Sequence, residues 1–347
     1  MRAVLVERFG SRPEVTEVPD PVPAEGEVVL RVEATGLCRS DWHGWQGHDP
    51  GIALPYVPGH ELAGVIEVTG PGVRGWRPGD RVTVPFVCAC GSCPPCRSGQ
   101  QQVCLHQEQP GFTRWGSFAE YVAIPRAQHN LIALPAGLGW TAAASLGCRF
   151  ATAYRAVRSV GRATAGEWMA VFGCGGVGLS AVMIGAAAGV RVIAVDVSQP
   201  ALALARRHGA EHAVPAGPRA AAEIRRLTGG GAQLTVDAAG SGQVAQAALR
   251  SLRPRGRHVQ AGLLVSPVRL DASPLIAGEL QWLGSHGMAA HEYPALLAEV
   301  GSGALRPGDL VTRVIGLDEV AAALAAMSAG GAAGMTVIEP GRPGSAH

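Results

Sequence analysis

Trp168-Met169-Ala170-Val171-Phe172-Gly173-Cys174-Gly175-Gly176-Val177-Gly178 decides the fold: an unbroken apolar run meets a glycine turn, then an Ala-rich stretch continues through Ala188. An apolar run bounded by glycine and followed by helix-forming residues reads as a buried strand leading into a helix. The glycines stand at Gly-x-Gly-x-x-Gly spacing. Gly173 permits the tight turn, and Gly175 lets the backbone approach a pyrophosphate at the helix N-terminus. Gly178 allows the helix to pack closely on the sheet, and Gly176 and Val177 complete the turn. Spacing alone is a weak signal, but strand, turn and helix in this order make a dinucleotide site.

Working outward, the next strand-like run, Val190 to Val195, is followed by Asp196, eighteen residues beyond Gly178. A carboxylate there accepts hydrogen bonds from ribose hydroxyls and repels a 2′-phosphate, which favours NAD over NADP. The alternative is that Asp196 caps the following helix. That helix reads from Pro200 to His208, and another strand from Gln233 to Val236. Strand and helix in alternation imply a doubly wound parallel sheet, a Rossmann domain placed at 151–286.

Before it, residues 1–150 carry short apolar or alternating runs, Glu27 to Val32 and Gly64 to Val68 among them, separated by Pro/Gly turns. They predict a compact all-β domain. After it, residues 287–347 carry strand-like runs at Leu310 to Val314 and Met335 to Ile338 around a helix from Leu317 to Met327. This segment is expected to rejoin the first domain, and the Gly/Pro-rich end from Pro340 to His347 to fray. The class is therefore α/β with two domains, as 347 residues exceed one usual hydrophobic core.

Composition narrows the function. The chain is 47% apolar and 16% charged, with net charge 29 − 27 = +2 and no long run of one sign, so a nucleic-acid partner is not expected. Gly, Arg or Asp interrupts every apolar stretch before the ~18 residues a membrane span needs. The opening Met1 to Arg8 alternates like a strand and lacks a signal peptide's apolar core, so a cytoplasmic location is expected. Eight cysteines in a reducing compartment point to metal or redox chemistry.

Cys90, Cys93, Cys96 and Cys104 stand at x2, x2 and x7 spacing in a Gly/Pro-rich lobe. Four thiolates can close a tetrahedron about a structural zinc; an iron–sulfur cluster or a redox pair is the alternative. A second set is dispersed: Cys38, His60 with Glu61, and Cys148. Singly, a buried cysteine is a small hydrophobe. Together they offer two sulfurs and one nitrogen and leave one tetrahedral position open, as a catalytic zinc requires.

These motifs, in this order, resemble those of the medium-chain, zinc-containing alcohol dehydrogenases over essentially the whole chain. The resemblance implies a chaperonin-10-like β domain completed by the C-terminal segment, with catalysis in the cleft between domains. It implies two zinc ions per chain, one held by the four clustered cysteines and one by Cys38, His60 and Cys148. Glu61 would be the neighbouring carboxylate able to approach the ion, and Asp41 would fix the His60 tautomer. Ser40 and His43 resemble the proton relay, through the cofactor ribose, that lets a zinc alkoxide form and expel hydride. The other reading of Ser40 is a turn or cap. Arg39 would contact the pyrophosphate, with Thr152 and Val177 against the nicotinamide. Phe86 and Trp115, with Trp45 and His286 as further candidates, would line an apolar pocket.

The implied activity is NAD-linked, reversible oxidation of a small alcohol to an aldehyde or ketone, in a homo-oligomer, a tetramer before a dimer. Two other readings stand beside it: a non-catalytic NAD- and zinc-binding scaffold or sensor, and a carbonyl or enone reductase of the same superfamily. The intact ligand set argues against both. Two departures are visible: Ala201 stands where many relatives carry a basic residue, and Arg149 where Gly or Ala is common. The resemblance assigns Arg149 no role.

Overall fold

Trp168–Phe172 is the first strand of a six-stranded parallel sheet in the computed structural model, which describes residues 1–342. Residues 343–347, the end of the tail expected to fray, lie outside the described residues. The sheet runs in the order Ala210–Pro215, Arg191–Asp196, Trp168–Phe172, Ala232–Asp237, Leu252–Gln260, Gln281–Gly284, every pair parallel. This is the order of the doubly wound dinucleotide fold, in which the direction of winding reverses beside the first strand. All five residues of Trp168–Phe172 are buried, as a strand covered on both faces must be.

The helix Gly176–Ala187 buries Leu179 and Ile184 completely, at roughly 1.5–3 kcal/mol of stabilisation for each side chain. Its close approach depends on glycine. A Cβ at Gly178 would collide with the carbonyl oxygen of Gly173, which itself turns at φ 89°. These elements belong to a unit spanning Thr152–His286.

The other unit joins Met1–Ala151 to the segment from Gly287 onward. Its central strand, Val28–Leu37, pairs antiparallel with Leu62–Thr69, Tyr121–Ile124 and Met335–Ile338. Val337 lies opposite Gly36 and Ile338 opposite Thr35, so the C-terminal segment completes this sheet. Val28, Leu30, Leu62, Ile66, Val122 and Ile124 form one of its buried clusters.

This unit is not all-β as expected. It contains short helices at Arg39–Trp45 and Trp140–Ala144, and a wide turn at Leu146–Phe150 in which the Phe150 amide donates to the Ser145 carbonyl, five residues back. Helices this short are unstable alone and leave little periodic signal. Capping and packing hold them: the Asp41 carboxylate accepts from the Cys38 amide at 2.8 Å, and the Tyr293 hydroxyl donates to the Leu146 carbonyl at 3.0 Å. Among the described residues no helix is long and apolar enough to cross a membrane.

Candidate active site

Three segments of the first unit meet at one buried point. Cys38 ends the strand Val28–Leu37 and caps the helix Arg39–Trp45, His60 precedes the strand Leu62–Thr69, and Cys148 sits in the wide turn. Their ligand atoms all lie within 4.8 Å of one another. Asp41 accepts a hydrogen bond at 3.0 Å from His60 Nδ1 and another from the Gly59 amide at 3.1 Å. With Nδ1 turned to Asp41, Nε2 is the ring nitrogen left for another partner. That Nε2 is buried without a hydrogen-bond partner. An orphaned buried polar atom costs about 1–3 kcal/mol, and two sulfurs beside it make a donor set that fits zinc with one position to spare.

The two thiols are pushed in opposite directions by each other. The hydrogen bond with Cys148, aided by His60 against the effect of burial, holds Cys38 well below the usual thiol range. The same contact and burial push Cys148 well above it. Burial alone would lower His60, but the charge and hydrogen bond of Asp41 raise it. A metal would displace these protons, since its ligands bind as thiolate and neutral imidazole.

Glu61 is not in this group of ligand atoms. Its Oε1 accepts from the Arg149 amide at 2.7 Å and its Oε2 from Arg149 Nε at 2.6 Å, with Arg149 Nη2 also paired to Oε2. Burial raises its carboxyl above the usual range although Arg149 pulls the other way.

Ser40 and His43 lie on one face of the helix that follows Cys38. The Ser40 hydroxyl is 3.8 Å from Cys38 Sγ. His43 is half-buried, and its Nδ1 pairs at 2.9 Å with Nδ1 of the exposed His48, a neighbour the sequence did not single out. Arg39 donates to the carbonyls of Met327 and Gly330 at 2.7 and 3.4 Å.

Of the aromatics, Phe86 stands edge-on to the His60 ring at 6.1 Å between centroids. Phe112 lies closer, at 5.0 Å, and the sequence reading passed over it in favour of Trp115, three residues on. Trp115 is not brought into this group. It is 40% exposed, donates to the Pro55 carbonyl and borders a surface groove with Met1, Pro19 and Pro21. Trp45 packs in the core with Ile52 and Tyr56.

The four clustered cysteines form a second donor set. Sulfurs ~2.3 Å from a common zinc would be about 3.8 Å apart. Here Cys90–Cys96, Cys93–Cys96 and Cys93–Cys104 are separated by 3.9, 3.4 and 3.7 Å. Amides of Ser92 and Cys93 point at Cys90 Sγ, and those of Cys90 and His106 at Cys104 Sγ. The Ser92 amide brings Cys90 down to about 5, while burial pushes Cys96 up to about 12. Such a set is closed, so it can hold a loop but not a substrate.

In the second unit a cavity of about 620 Å³ opens beside the strand ends Phe172 and Val195, lined also by Val197, Gly217, Gln243 and Arg269. The helix Gly176–Ala187 begins beyond Gly175 with no acidic residue in its first turn, leaving its positive end available to an anion. Asp196 accepts from the Cys174 amide at 2.6 Å and the Ser198 amide at 2.7 Å. The cap of the next helix is Ser198, whose hydroxyl accepts from Ala201 at 3.3 Å. Thr152 is buried, Val177 is half-buried, and Ala201 is 5% exposed.

Residues 24–136 match the alcohol dehydrogenase GroES-like domain, and residues 176–302 the zinc-binding dehydrogenase domain. An alcohol dehydrogenase of Geobacillus stearothermophilus is 36% identical over 82% of this chain and 84% of its own length. An NAD-dependent alcohol dehydrogenase of Sulfurisphaera tokodaii is 31% identical over 98% and 100%. A crystal structure described as an NAD-dependent alcohol dehydrogenase superposes with TM-score 0.90 at 32% identity, covering 98% of this chain and 100% of that one. With both domains, both cysteine sets and relatives that span its length, this chain belongs to the medium-chain, zinc-dependent alcohol dehydrogenase family.

Proposed function

We propose that this enzyme oxidises a small alcohol reversibly to an aldehyde or ketone, with NAD as hydride carrier and two zinc ions per chain. The observation that carries it is the pairing of a closed four-sulfur set with an open set whose His60 Nε2 is aimed and unpartnered. Zinc held by Cys38, His60 and Cys148 would supply Lewis acidity at the alcohol oxygen, and NAD held at Gly173–Gly178 would take up the hydride. Asp41 keeps His60 in the ligating tautomer. Phe86 and Phe112 flank that ring and exclude water from the reacting oxygen. Gly173, Gly175 and Gly178 shape the backbone for the pyrophosphate.

The test is metal analysis combined with an NAD⁺/NADP⁺ activity screen over primary, secondary and aromatic alcohols. Two zinc ions and NAD⁺-dependent oxidation are expected. One ion per chain, or iron with a visible chromophore, would refute it.

Ser40 receives the alcohol proton and His43 passes it toward solvent. Burial, with help from His48 and Arg39, holds the His43 imidazole below its ordinary pKa, so it is a neutral base at pH 7. Changing His43 to Gln should lower turnover at neutral pH, with partial recovery when small basic buffers accept the proton instead. An unchanged pH profile without buffer rescue would mean that the proton leaves by another route.

Cofactor choice rests on Asp196. Each of its oxygens has spare acceptor capacity beyond the one amide it binds, so it can also take a ribose hydroxyl while opposing a 2′-phosphate. Efficiency should favour NAD⁺ by about a hundredfold, roughly 3 kcal/mol at ~1.4 kcal/mol per factor of ten. Asp196→Ser should raise the Michaelis constant for NAD⁺ and narrow that gap. Equal use of NADP⁺ by the parent enzyme would leave Asp196 as a brace between the glycine turn and the next helix.

A further inference from the structure

Arg149 follows one proposed ligand and touches the neighbours of the other two. It is buried, 4% exposed, in a position where an unpaired guanidinium would be costly. Its Nη1 donates at 3.1 Å to the carbonyl of Leu37, the residue before Cys38. Its amide and Nε donate to the carboxylate of Glu61, the residue after His60. Arg149 itself comes directly after Cys148. Arg149 thus links the residues adjacent to all three ligands, the Leu37 carbonyl and the Glu61 carboxylate to its own place after Cys148.

The same contacts immobilise Glu61. Both carboxylate oxygens are committed to Arg149, from two directions that only a forked guanidinium plus its own amide can supply. The pair lies against bare backbone: a Cβ at Gly36 would strike Glu61 Oε2 and Arg149 Nη2. The Gly36 amide donates to the Glu61 carbonyl at 2.6 Å, which fixes the main chain as well. Without Arg149, the buried carboxylate beside His60 would have the metal as its cation, and the position open to substrate would close.

We propose that Arg149 is a positioning residue with two effects: it sets the three ligand segments at ligating separation before metal binds, and it holds Glu61 outside the metal's coordination sphere. This rests on Cys38, His60 and Cys148 being the zinc ligands.

The test uses the zinc-loaded enzyme and its Arg149→Ala, Arg149→Lys and Arg149→Ala/Glu61→Gln variants. Loss of each ion to a chelator is timed, with the four-cysteine ion as internal standard, and the other ion is exchanged for cobalt(II) to record its visible absorption. Arg149→Ala should lose the Cys38–His60–Cys148 ion roughly ten- to a hundredfold faster, the usual scale for removing a group that orients ligands. Its cobalt band should shift as the Glu61 carboxylate takes the fourth position, and return to the parental spectrum in the double variant. Arg149→Lys keeps the charge without the fork, so ion loss should still exceed the parent's. Parental retention and an unchanged cobalt spectrum in Arg149→Ala would overturn the proposal. Should that variant fail to fold, retention in Arg149→Lys equal to the parent's overturns it instead. A parent with a single ion defeats the zinc assignment and this proposal together. A parent with two ions and no alcohol oxidation defeats the activity alone, while ion loss and the cobalt spectrum still decide the role of Arg149.

Discussion

Replacing His60 with Ala should remove one of two zinc ions and lower alcohol oxidation by about three orders of magnitude, or about 4 kcal/mol of barrier. The set of Cys38, His60 and Cys148 contains one nitrogen, and two sulfurs alone leave a zinc two ligands short. The loss is of the right size because Lewis-acid stabilisation of an oxygen contributes several kcal/mol. The fold should survive: Asp41 would keep its hydrogen bonds from the Cys38 and Gly59 amides, which hold the start of the helix and the loop before His60. Metal content and kcat measured on the same preparation check it. A variant that keeps both ions and the parent's turnover would remove His60 from the site.

The opposite pattern is expected for Cys93→Ser, where folding and not chemistry suffers. Ala89, Cys93, Cys96 and Cys104, with Cys90 against them, form the buried cluster of that lobe, so there is no large apolar side chain in it to hold the loop once the ion goes. Structural zinc binding in small peptides amounts to roughly 10–16 kcal/mol. Losing even a third of that, about 4 kcal/mol, is a large part of an ordinary stability of about 5–15 kcal/mol. The melting temperature should fall by about 10 °C, with a matching loss of soluble protein. Slower turnover in a chain that melts like its parent would mean that the two cysteine sets have exchanged roles.

The parts legible in the sequence were those with a local signature. Trp168–Phe172 is a pure apolar run ending in glycine, and it is the strand seen. The four clustered cysteines declare themselves by spacing. The strand next to the edge of the parallel sheet did not. Leu252–Gln260 contains a proline, a glycine and three arginines, and only Leu252, Gly256, His258 and Val259 are buried, so no period of two appears. Its place comes from pairing with Ala232–Asp237 and Gln281–Gly284, a long-range fact. Around the site, Phe112 and His48 escaped notice because neither belongs to a motif; Phe112 matters through His60, distant in the chain, and His48 through a ring contact with His43 that spacing alone does not show. Arg149 was visible as a departure but not interpretable, because Glu61 lies 88 positions away.

The wide turn at Leu146–Phe150 bears on how this enzyme can change over generations. Each residue added to or taken from a helix turns everything beyond it by about 100°. Cys148 lies inside a turn that holds one residue more than a regular helix would, as the bond from Phe150 back to Ser145 records, and its direction toward Cys38 and His60 depends on that count. Side chains along Trp140–Ala144 can be exchanged within the limits of packing, but its length cannot. Loss of a single codon there would leave every ligand encoded and still swing Cys148 away from the others. In this stretch the spacing constrains the site as the cysteine itself does.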